Sequence, residues 1–230
     1  MPCRPRAGRR TAAVLGLVLA LVLTGCLDPG TGKPPAVGAD GVAPFRSSIS
    51  TVSAGDLGSS WRPGCPVGPA QLRRVRVAYW GFDGTIHTGD LIIRDTEAQS
   101  VATAFRQLYD ARFQINRIHP VQRYGSDDDA SMAANNTSAF NCRAVTGGSR
   151  WSEHSYGTAL DINPVQNPYV TRSGTVLPPS GGPYADRTVK VTGTINRNGV
   201  VRRAFAAIGW EWGGDWTDPK DYQHLSLNDR

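Results

Sequence analysis

The feature that most constrains this chain is a carboxylate inside an apolar stretch. Residues 158–163 alternate in the manner of a short strand, with Leu160 and Ile162 on one face and Asp161 on the other. An ionised carboxylate is costly to bury unless a positive charge or hydrogen-bond donors compensate it. Two kinds of compensation are open for this position, an ion pair, for example with Arg143, or a bound metal ion.

Two histidines accompany this carboxylate in a pattern that suits a metal site. His154 precedes Asp161 by seven residues, in a turn that Gly157 makes possible, and His224 lies in a second apolar strand predicted near the C-terminus. Two histidines and one aspartate supply three protein ligands for a catalytic zinc, with a fourth position left open for water. Asp221 lies three residues before His224, close enough to act as general base and then to protonate a leaving amine. A lone histidine is more often structural than a ligand, so the spacing alone leaves both interpretations open.

These residues resemble the motifs of the M15 metallopeptidases. This family contains zinc D-alanyl-D-alanine carboxypeptidases and L-alanyl-D-glutamate endopeptidases, which cut the peptides of peptidoglycan. The similarity covers roughly residues 75–230, and its motifs are specific as a set although each is weak alone. The matching residues are Ser152-x-His154-x-x-Gly157-x-Ala159-x-Asp161 and Asp221-x-x-His224. The resemblance implies that His154, Asp161 and His224 hold Zn²⁺ and that Asp221 is the catalytic base.

The resemblance also suggests a substrate-binding arginine. Residues 138–143 are similar to a family segment that carries an arginine upstream of the first ligand, and Arg143 would then bind the substrate carboxylate or the developing oxyanion. The base is aspartate here, whereas dipeptidase and many carboxypeptidase members have glutamate, which favours endopeptidase over D,D-carboxypeptidase activity. Leu225 stands where relatives usually have an aromatic residue. Tyr156 and Trp216 are the aromatic side chains that we expect to line the substrate cleft.

The N-terminus predicts an export signal. Residues 4–10 carry four arginines, and residues 12–23 form an apolar run that is too short to span a bilayer but suits a signal peptide. The run ends in Leu-Thr-Gly-Cys, which resembles a bacterial lipobox with Cys26 as the lipidated residue. We therefore expect a lipoprotein signal peptide over residues 1–25. Ordinary secretion, with Cys26 removed or left free, is the alternative.

Composition divides the rest of the chain into a tether and one domain. Residues 26–55 are rich in Gly, Pro, Ala and Ser and predict a flexible tether, so the folded domain is expected over residues 56–230. The formal net charge is +6, and four of these charges lie in the predicted signal peptide. The domain has no Lys/Arg-rich run with interleaved aromatic residues, which argues against a nucleic-acid partner.

Cysteine usage indicates one disulfide bond. Two of the four cysteines, Cys3 and Cys26, lie in the predicted signal peptide or at its cleavage site, which leaves Cys65 and Cys142. In an exported protein two remaining cysteines are expected to pair. A catalytic role for Cys142 is the alternative.

The order of predicted elements indicates an α+β fold. Residues 74–80 and 89–94 predict a hairpin, and residues 97–112 an amphipathic helix preceded by a capping box at Thr96. Further predictions are strands over 137–143, 158–163, 210–212 and 222–227, a helix over 200–208, and a long loop over 164–183. Without a βαβ repeat, we expect a small, mainly antiparallel sheet with flanking helices and long loops, of zinc-peptidase type.

The leading functional hypothesis is a zinc peptidase that acts on the stem peptides of peptidoglycan. It would be a monomer, exported and held by a lipid anchor on the outer face of the bacterial cell membrane. A non-catalytic cell-wall-binding lipoprotein with a metallopeptidase-like fold is the main alternative, and a zinc amidase of another fold is a third. Ser155 together with His154 and Asp161 could suggest a serine hydrolase, but no nucleophile-elbow pattern surrounds it.

Overall fold

A computed structural model describes residues 41–228 of the 230-residue chain. The predicted signal peptide over 1–25 and the predicted lipidation site at Cys26 lie outside the described residues. Within residues 41–228, the helices are too short or too polar to cross a bilayer.

Residues 41–228 contain nine β-strands and four α-helices, connected by loops and 3₁₀ turns. In chain order the elements are β1 (Ser47–Thr51), α1 (Ala54–Leu57), β2 (Leu72–Trp80), β3 (Ile86–Arg94), α2 (Ala98–Asp110), α3 (Asp128–Ala133), β4 (Ala159–Asp161), β5 (Tyr169–Val170), β6 (Val176–Leu177), α4 (Val200–Ala206), β7 (Glu211–Trp212), β8 (Lys220–Asp221) and β9 (His224–Ser226). The strands pair antiparallel in three small sheets, in the orders β1-β2-β3, β4-β9-β7 and β6-β5-β8. The predicted α+β class is confirmed.

Helix α2 forms the centre of the main hydrophobic core. The predicted helix over 97–112 is confirmed, with Val101 and Phe105 buried on one face against β2 and α4. The Phe105 ring meets the edge of the Phe205 ring of α4 at a centroid distance of 6.2 Å. The predicted capping box at the start of this helix is wrong, because Glu97 occupies the N-cap position and its side chain makes no capping hydrogen bond.

Strand β1 corrects the predicted extent of the tether. The tether was expected to reach residue 55, but Ser47–Thr51 pairs along its whole length with β2. All five β1 residues are exposed, so the strand is held by backbone hydrogen bonds rather than by an apolar face. The sequence of β1 has Ile49 as its one apolar residue, so it shows no apolar–polar alternation that would predict a strand. Val52 and Leu57 then enter a second hydrophobic cluster, so the folded domain begins before residue 56.

The segment before Arg143 is extended, but the strand predicted over residues 137–143 does not form a continuous ladder. Its backbone N–H groups donate to a different partner at successive positions: Phe140 to Ile92, Asn141 to His154, and Cys142 to Ser60. Isolated bridges replace regular pairing at the start of the segment. The segment is therefore tied to several parts of the domain at once.

The predicted disulfide between Cys65 and Cys142 is confirmed. Their Cα atoms are 6.0 Å apart, and the bond closes a sequence separation of 77 residues. Cys142 is buried in the second hydrophobic cluster, together with Leu57, Leu72 and Phe140. The bond fastens the residue that immediately precedes Arg143, which excludes Cys142 as a free nucleophile in this structure.

Replacing both Cys65 and Cys142 by alanine is expected to destabilise the domain. A loop of this length is worth about 4 kcal/mol in the chain-entropy account of disulfide bonds. For a domain of this size, thermal unfolding should shift down by roughly 8–16 °C. Differential scanning calorimetry of the two proteins measures the shift. A Tm within about 2 °C of the parent protein would show that the bond does not stabilise this fold.

Candidate metal centre and catalytic cleft

Antiparallel pairing of β4 and β9 brings Asp161 and His224 together. The two residues are direct partners in the register, so their side chains leave the same face of the sheet. His224 Nδ1 lies 3.2 Å from Asp161 Oδ1, and both side chains are buried. The alternation predicted around Asp161 therefore places the carboxylate on the face that also carries the second histidine.

A short 3₁₀ turn supplies the third side chain. His154 lies in the turn Glu153–Tyr156, whose N-cap Ser152 accepts a hydrogen bond from the His154 amide. His154 Nε2 lies 3.3 Å from Asp161 Oδ2. The other ring nitrogen, Nδ1, is 2.7 Å from the Ala139 carbonyl oxygen, which can only accept, so Nδ1 carries the proton. This bond leaves the Nε2 lone pair directed at the carboxylate, an arrangement typical of metal-ligating histidines.

Gly157 ends this turn in the left-handed conformation, with φ of +70°. A Cβ atom at this position would lie 2.7 Å from the Arg94 amide nitrogen and 2.9 Å from a Leu72 methyl group. The sequence-based expectation that glycine makes the turn possible is therefore confirmed, with close packing against β3 as a second reason.

The Gly157→Ala substitution is expected to cost more than about 2 kcal/mol, because it combines backbone strain with a backbone clash. Gly209→Ala is the matched control, since Gly209 has φ of +82° and open space around the added Cβ. Strain alone should cost the control about 1 kcal/mol. Urea denaturation of both variants gives the two free energies of unfolding. Equal losses would show that the approach of Arg94 does not matter.

The three side chains form a donor set that fits a divalent cation. One ligand atom from each of His154, Asp161 and His224 lies within 4.8 Å of the others, and all three residues are buried. Burial opposes the charge on His154, but Asp161 outweighs it and raises the pKa of the His154 ring. Burial likewise opposes the Asp161 charge, yet His154 and His224 hold the pKa of this carboxyl well below its usual range. Two imidazoles and one carboxylate suit zinc among the divalent metals.

Asp221 lies beside this donor set on strand β8. It pairs with Tyr169 of β5 and is half-buried, and its Oδ1 atom is buried without a hydrogen-bond partner among the described residues. Burial raises the pKa of Asp221 to about 7. The nearby charge of His224 opposes this shift, and the charge of Asp161 adds to it. A carboxylate with this pKa can both accept and return a proton near neutral pH.

Arg143 lines the same cleft and pairs with Asp128, so the ion pair with Asp161 that was suggested for it does not form. Its Nη2 atom lies 2.8 Å from Asp128 Oδ2 at the start of α3, and its Nη1 donates to the Ala144 carbonyl oxygen at 3.1 Å. Ser155 holds the backbone, because its hydroxyl accepts from the Arg143 amide and donates to the Arg143 carbonyl oxygen. Ser155 therefore has a structural role and is not a nucleophile.

A cleft of about 670 Å³ is lined by the three candidate ligands together with Asp221 and Arg143. Trp216 is in its wall, with its ring 5.5 Å from the His224 ring, as expected for a cleft residue. The cleft role predicted for Tyr156 is wrong, because its ring packs against the second hydrophobic cluster on the other side of the turn. Glu153 follows Ser152 beside the candidate ligand His154 and also lines the cleft, but its Oε2 atom already accepts a hydrogen bond from the Thr158 hydroxyl.

The long loop over 164–183 provides another wall. It contains β5 and β6, and β5 pairs with β8, so the loop is joined by backbone hydrogen bonds to the strand that carries Asp221. Tyr169, Arg172 and Leu177 from this loop face the cleft. The loop therefore forms part of the cleft wall.

Several cleft residues were not predicted from the sequence, among them Asp128, Met132 and Gln223. Asp128 belongs to the acidic run 127–129, which has no apolar periodicity. The structure has Asp127 as N-cap and Asp128 and Met132 one turn apart on α3. That four-residue spacing was the available signal, since it puts both side chains on one helix face.

Comparison with protein-family models supports the peptidase resemblance. Residues 146–227 match the M15 peptidase family model described as D-alanyl-D-alanine carboxypeptidase. The match spans well under half of the chain, includes His154, Asp161, Asp221 and His224, and begins after Arg143. Searches of curated proteins and of solved structures find no match. The similarity supports a hydrolase of the peptidase type.

Proposed function

We propose that this protein is a zinc-dependent peptidase that hydrolyses peptide bonds in the stem peptides of peptidoglycan. The observation that carries the proposal is the convergence at one cleft of a buried His-Asp-His donor set and the Asp221 carboxylate, whose Oδ1 atom has no hydrogen-bond partner among the described residues. The family-model match over the same segment supports it. Endopeptidase action is favoured over D,D-carboxypeptidase action because the base is an aspartate.

His154, Asp161 and His224 would hold the zinc ion. Zinc bound there supplies Lewis acidity, which polarises a carbonyl group and lowers the pKa of water. The His154 ring is held by Ala139, and the Asp161 carboxylate is held between the two histidines, so the donor atoms are oriented before any cation binds. Orientation of this kind keeps the reorganisation that accompanies catalysis small.

Asp221 would move the proton. Its carboxylate accepts a proton from the attacking water and then returns it to the amine of the departing peptide fragment. Burial raises the pKa of Asp221 to about 7, so the carboxyl can take up and release a proton near neutral pH. Its Oδ1 atom has no hydrogen-bond partner among the described residues, which leaves one oxygen available for the proton. A nearby divalent cation would lower the pKa of this carboxyl, which favours the base form at the start of the reaction.

Arg143 would bind the anionic part of the substrate. Asp128 and the Ala144 carbonyl oxygen hold two of its nitrogen atoms, so the guanidinium is fixed at the cleft rather than free in solvent. A fixed guanidinium suits a carboxylate or an oxyanion that develops during the reaction. The disulfide at Cys142 and the bonds from Ser155 hold the backbone from which it extends.

The Asp221 environment favours an enzyme over a non-catalytic cell-wall-binding protein. A protein that only binds has no use for a buried carboxylate whose oxygen lacks a partner, since such an atom is costly to retain. Export, a lipid anchor at Cys26 on the outer face of the bacterial cell membrane, and a monomeric state complete the proposal. They are supported by the arginines, apolar run and lipobox-like residues of the N-terminus.

Digestion of defined muropeptides tests the proposed function. Product masses identify the bond that is cut and separate endopeptidase, carboxypeptidase and amidase activities. We expect cleavage within the stem peptide by the parent protein and none by the Asp221→Asn protein. Tight muropeptide binding without turnover, equal in the two proteins, would instead establish the non-catalytic alternative.

A further inference from the structure

Gln223 has a buried acceptor that the domain leaves unused. The residue is 3% exposed and lines the catalytic cleft, between Tyr222 and the candidate ligand His224. Its Oε1 atom has no hydrogen-bond partner among the described residues. Its Nε2 atom lies 3.3 Å from the Met132 sulfur, which is only a weak acceptor. This orientation leaves the oxygen as the free end of the amide.

Several other buried amide oxygens of the domain have hydrogen-bond partners. Asn167 Oδ1 accepts from Arg187 and from the Ile195 amide, and Gln166 Oε1 accepts from Asn135 at 2.8 Å. A buried polar atom without a partner destabilises the folded state, so such atoms are uncommon and call for an explanation. Among the described residues, two side-chain amide oxygens are buried without a partner, those of Gln122 and Gln223. Gln223 lines the cleft, where a bound molecule can supply the missing donor, whereas Gln122 is not part of the cleft lining.

The backbone of Gln223 is held by strand pairing beside the cleft. The main-chain carbonyl oxygen of Gln223 accepts a hydrogen bond from the Ile162 amide at 3.0 Å. This bond continues the pairing of β4 with β9 next to Asp161. Met132 and Asp128, one turn apart on α3, line the cleft beside it. A molecule seated near the His-Asp-His cluster would therefore pass between α3 and the start of β9.

We propose that Gln223 is a substrate-binding residue that accepts a hydrogen bond from a main-chain N–H of the peptide. This inference rests on the proposed function and adds a recognition contact to it. The amide carries no charge and transfers no proton, so the contact orients the peptide in both the bound and the reacting state. Its loss should therefore raise KM and leave kcat nearly unchanged.

Gln223→Met tests the proposal, because methionine is unbranched and of similar length but has no amide oxygen. KM for a defined muropeptide should rise about three- to tenfold, as expected for one neutral hydrogen bond, with kcat within about twofold. The Tm should stay constant or rise, because the substitution removes an unsatisfied buried atom from the free protein. Opposite responses of binding and stability would not follow from a merely structural role.

Gln166→Met is the matched control. It makes the same substitution at a buried glutamine whose oxygen already bonds to Asn135, and Gln166 lies outside the cleft lining. The control should lower the Tm and leave KM unchanged. If Gln223→Met behaves in this way, or if it changes neither KM nor the Tm, the proposal is overturned. The second result would point to a water molecule as the partner of Oε1.

A binding measurement separates this inference from the proposed function. Calorimetric titration of the same muropeptide into Asp221→Asn protein, with and without Gln223→Met, compares Kd without turnover. Weaker binding by about three- to tenfold supports the recognition role even if the parent protein cuts no peptide. Equal Kd values would overturn the role of Gln223 while leaving peptidase activity of the parent protein intact.

Discussion

The His154→Ala protein is expected to lose both zinc and peptidase activity. His154 offers one of the three candidate donor atoms and lies 3.3 Å from the Asp161 carboxylate, so its removal would leave only two candidate ligands for a cation. Zinc affinity should fall at least about 100-fold, and kcat/KM at least about 1,000-fold. Metal analysis after dialysis and a muropeptide assay measure the two effects.

His87→Ala is the matched control for this substitution. His87 lies on β3, is 43% exposed in its side chain, and pairs with Asp83 at 3.0 Å. Its removal should leave zinc content and activity at the level of the parent protein. Retention of one zinc per chain by the His154→Ala protein, with circular dichroism showing a native fold, would contradict the assigned donor set.

The Asp221→Asn protein is expected to bind zinc but to turn over substrate far more slowly. Asparagine keeps the size of the side chain and removes the proton acceptor, and general-base catalysis typically contributes a factor of about 10²–10⁴. We therefore expect kcat to fall by about this factor while KM changes little. Steady-state kinetics with a defined muropeptide, together with metal analysis, provides the test.

Glu153→Gln is the control for the base. Glu153 adjoins His154 in sequence, and its replacement by Gln removes one negative charge, as Asp221→Asn does. Its Oε2 atom, however, accepts a hydrogen bond from Thr158 at 3.0 Å. Its substitution should change kcat by no more than a few-fold. A larger loss of kcat in this protein than in Asp221→Asn would assign the base to Glu153 and refute the role of Asp221.

The sequence predicted best those parts of the structure that depend on local pattern. Hairpin β2–β3 and helix α2 follow from alternation and helical spacing, which are local properties. The grouping of His154, Asp161 and His224 was predictable because a carboxylate in an apolar strand demands compensation, and the family resemblance named the partners. Pairing of β4 with β9 then explains why residues distant in sequence meet.

Other features depend on contacts that leave little trace in sequence. The Arg143–Asp128 pair joins the extended segment before residue 144 to the start of helix α3, and nothing in the spacing of these residues distinguishes either charge from a solvated one. Strand β1 is held by backbone hydrogen bonds to β2, so its sequence, mostly Ser and Thr, resembles that of a linker. Tyr156 was expected to line the cleft, but within the 3₁₀ turn it packs against the second hydrophobic cluster whereas His154 lines the cleft.

Titration of metal-free protein with zinc tests the central claim most directly. The rate of muropeptide cleavage should be negligible without metal, rise in proportion to added zinc, and reach its maximum at one equivalent per chain. Asp221→Asn protein should bind the same equivalent without a comparable gain in rate. Full cleavage by metal-free parent protein, or no cleavage after one equivalent has bound, would contradict a zinc peptidase built on His154, Asp161 and His224.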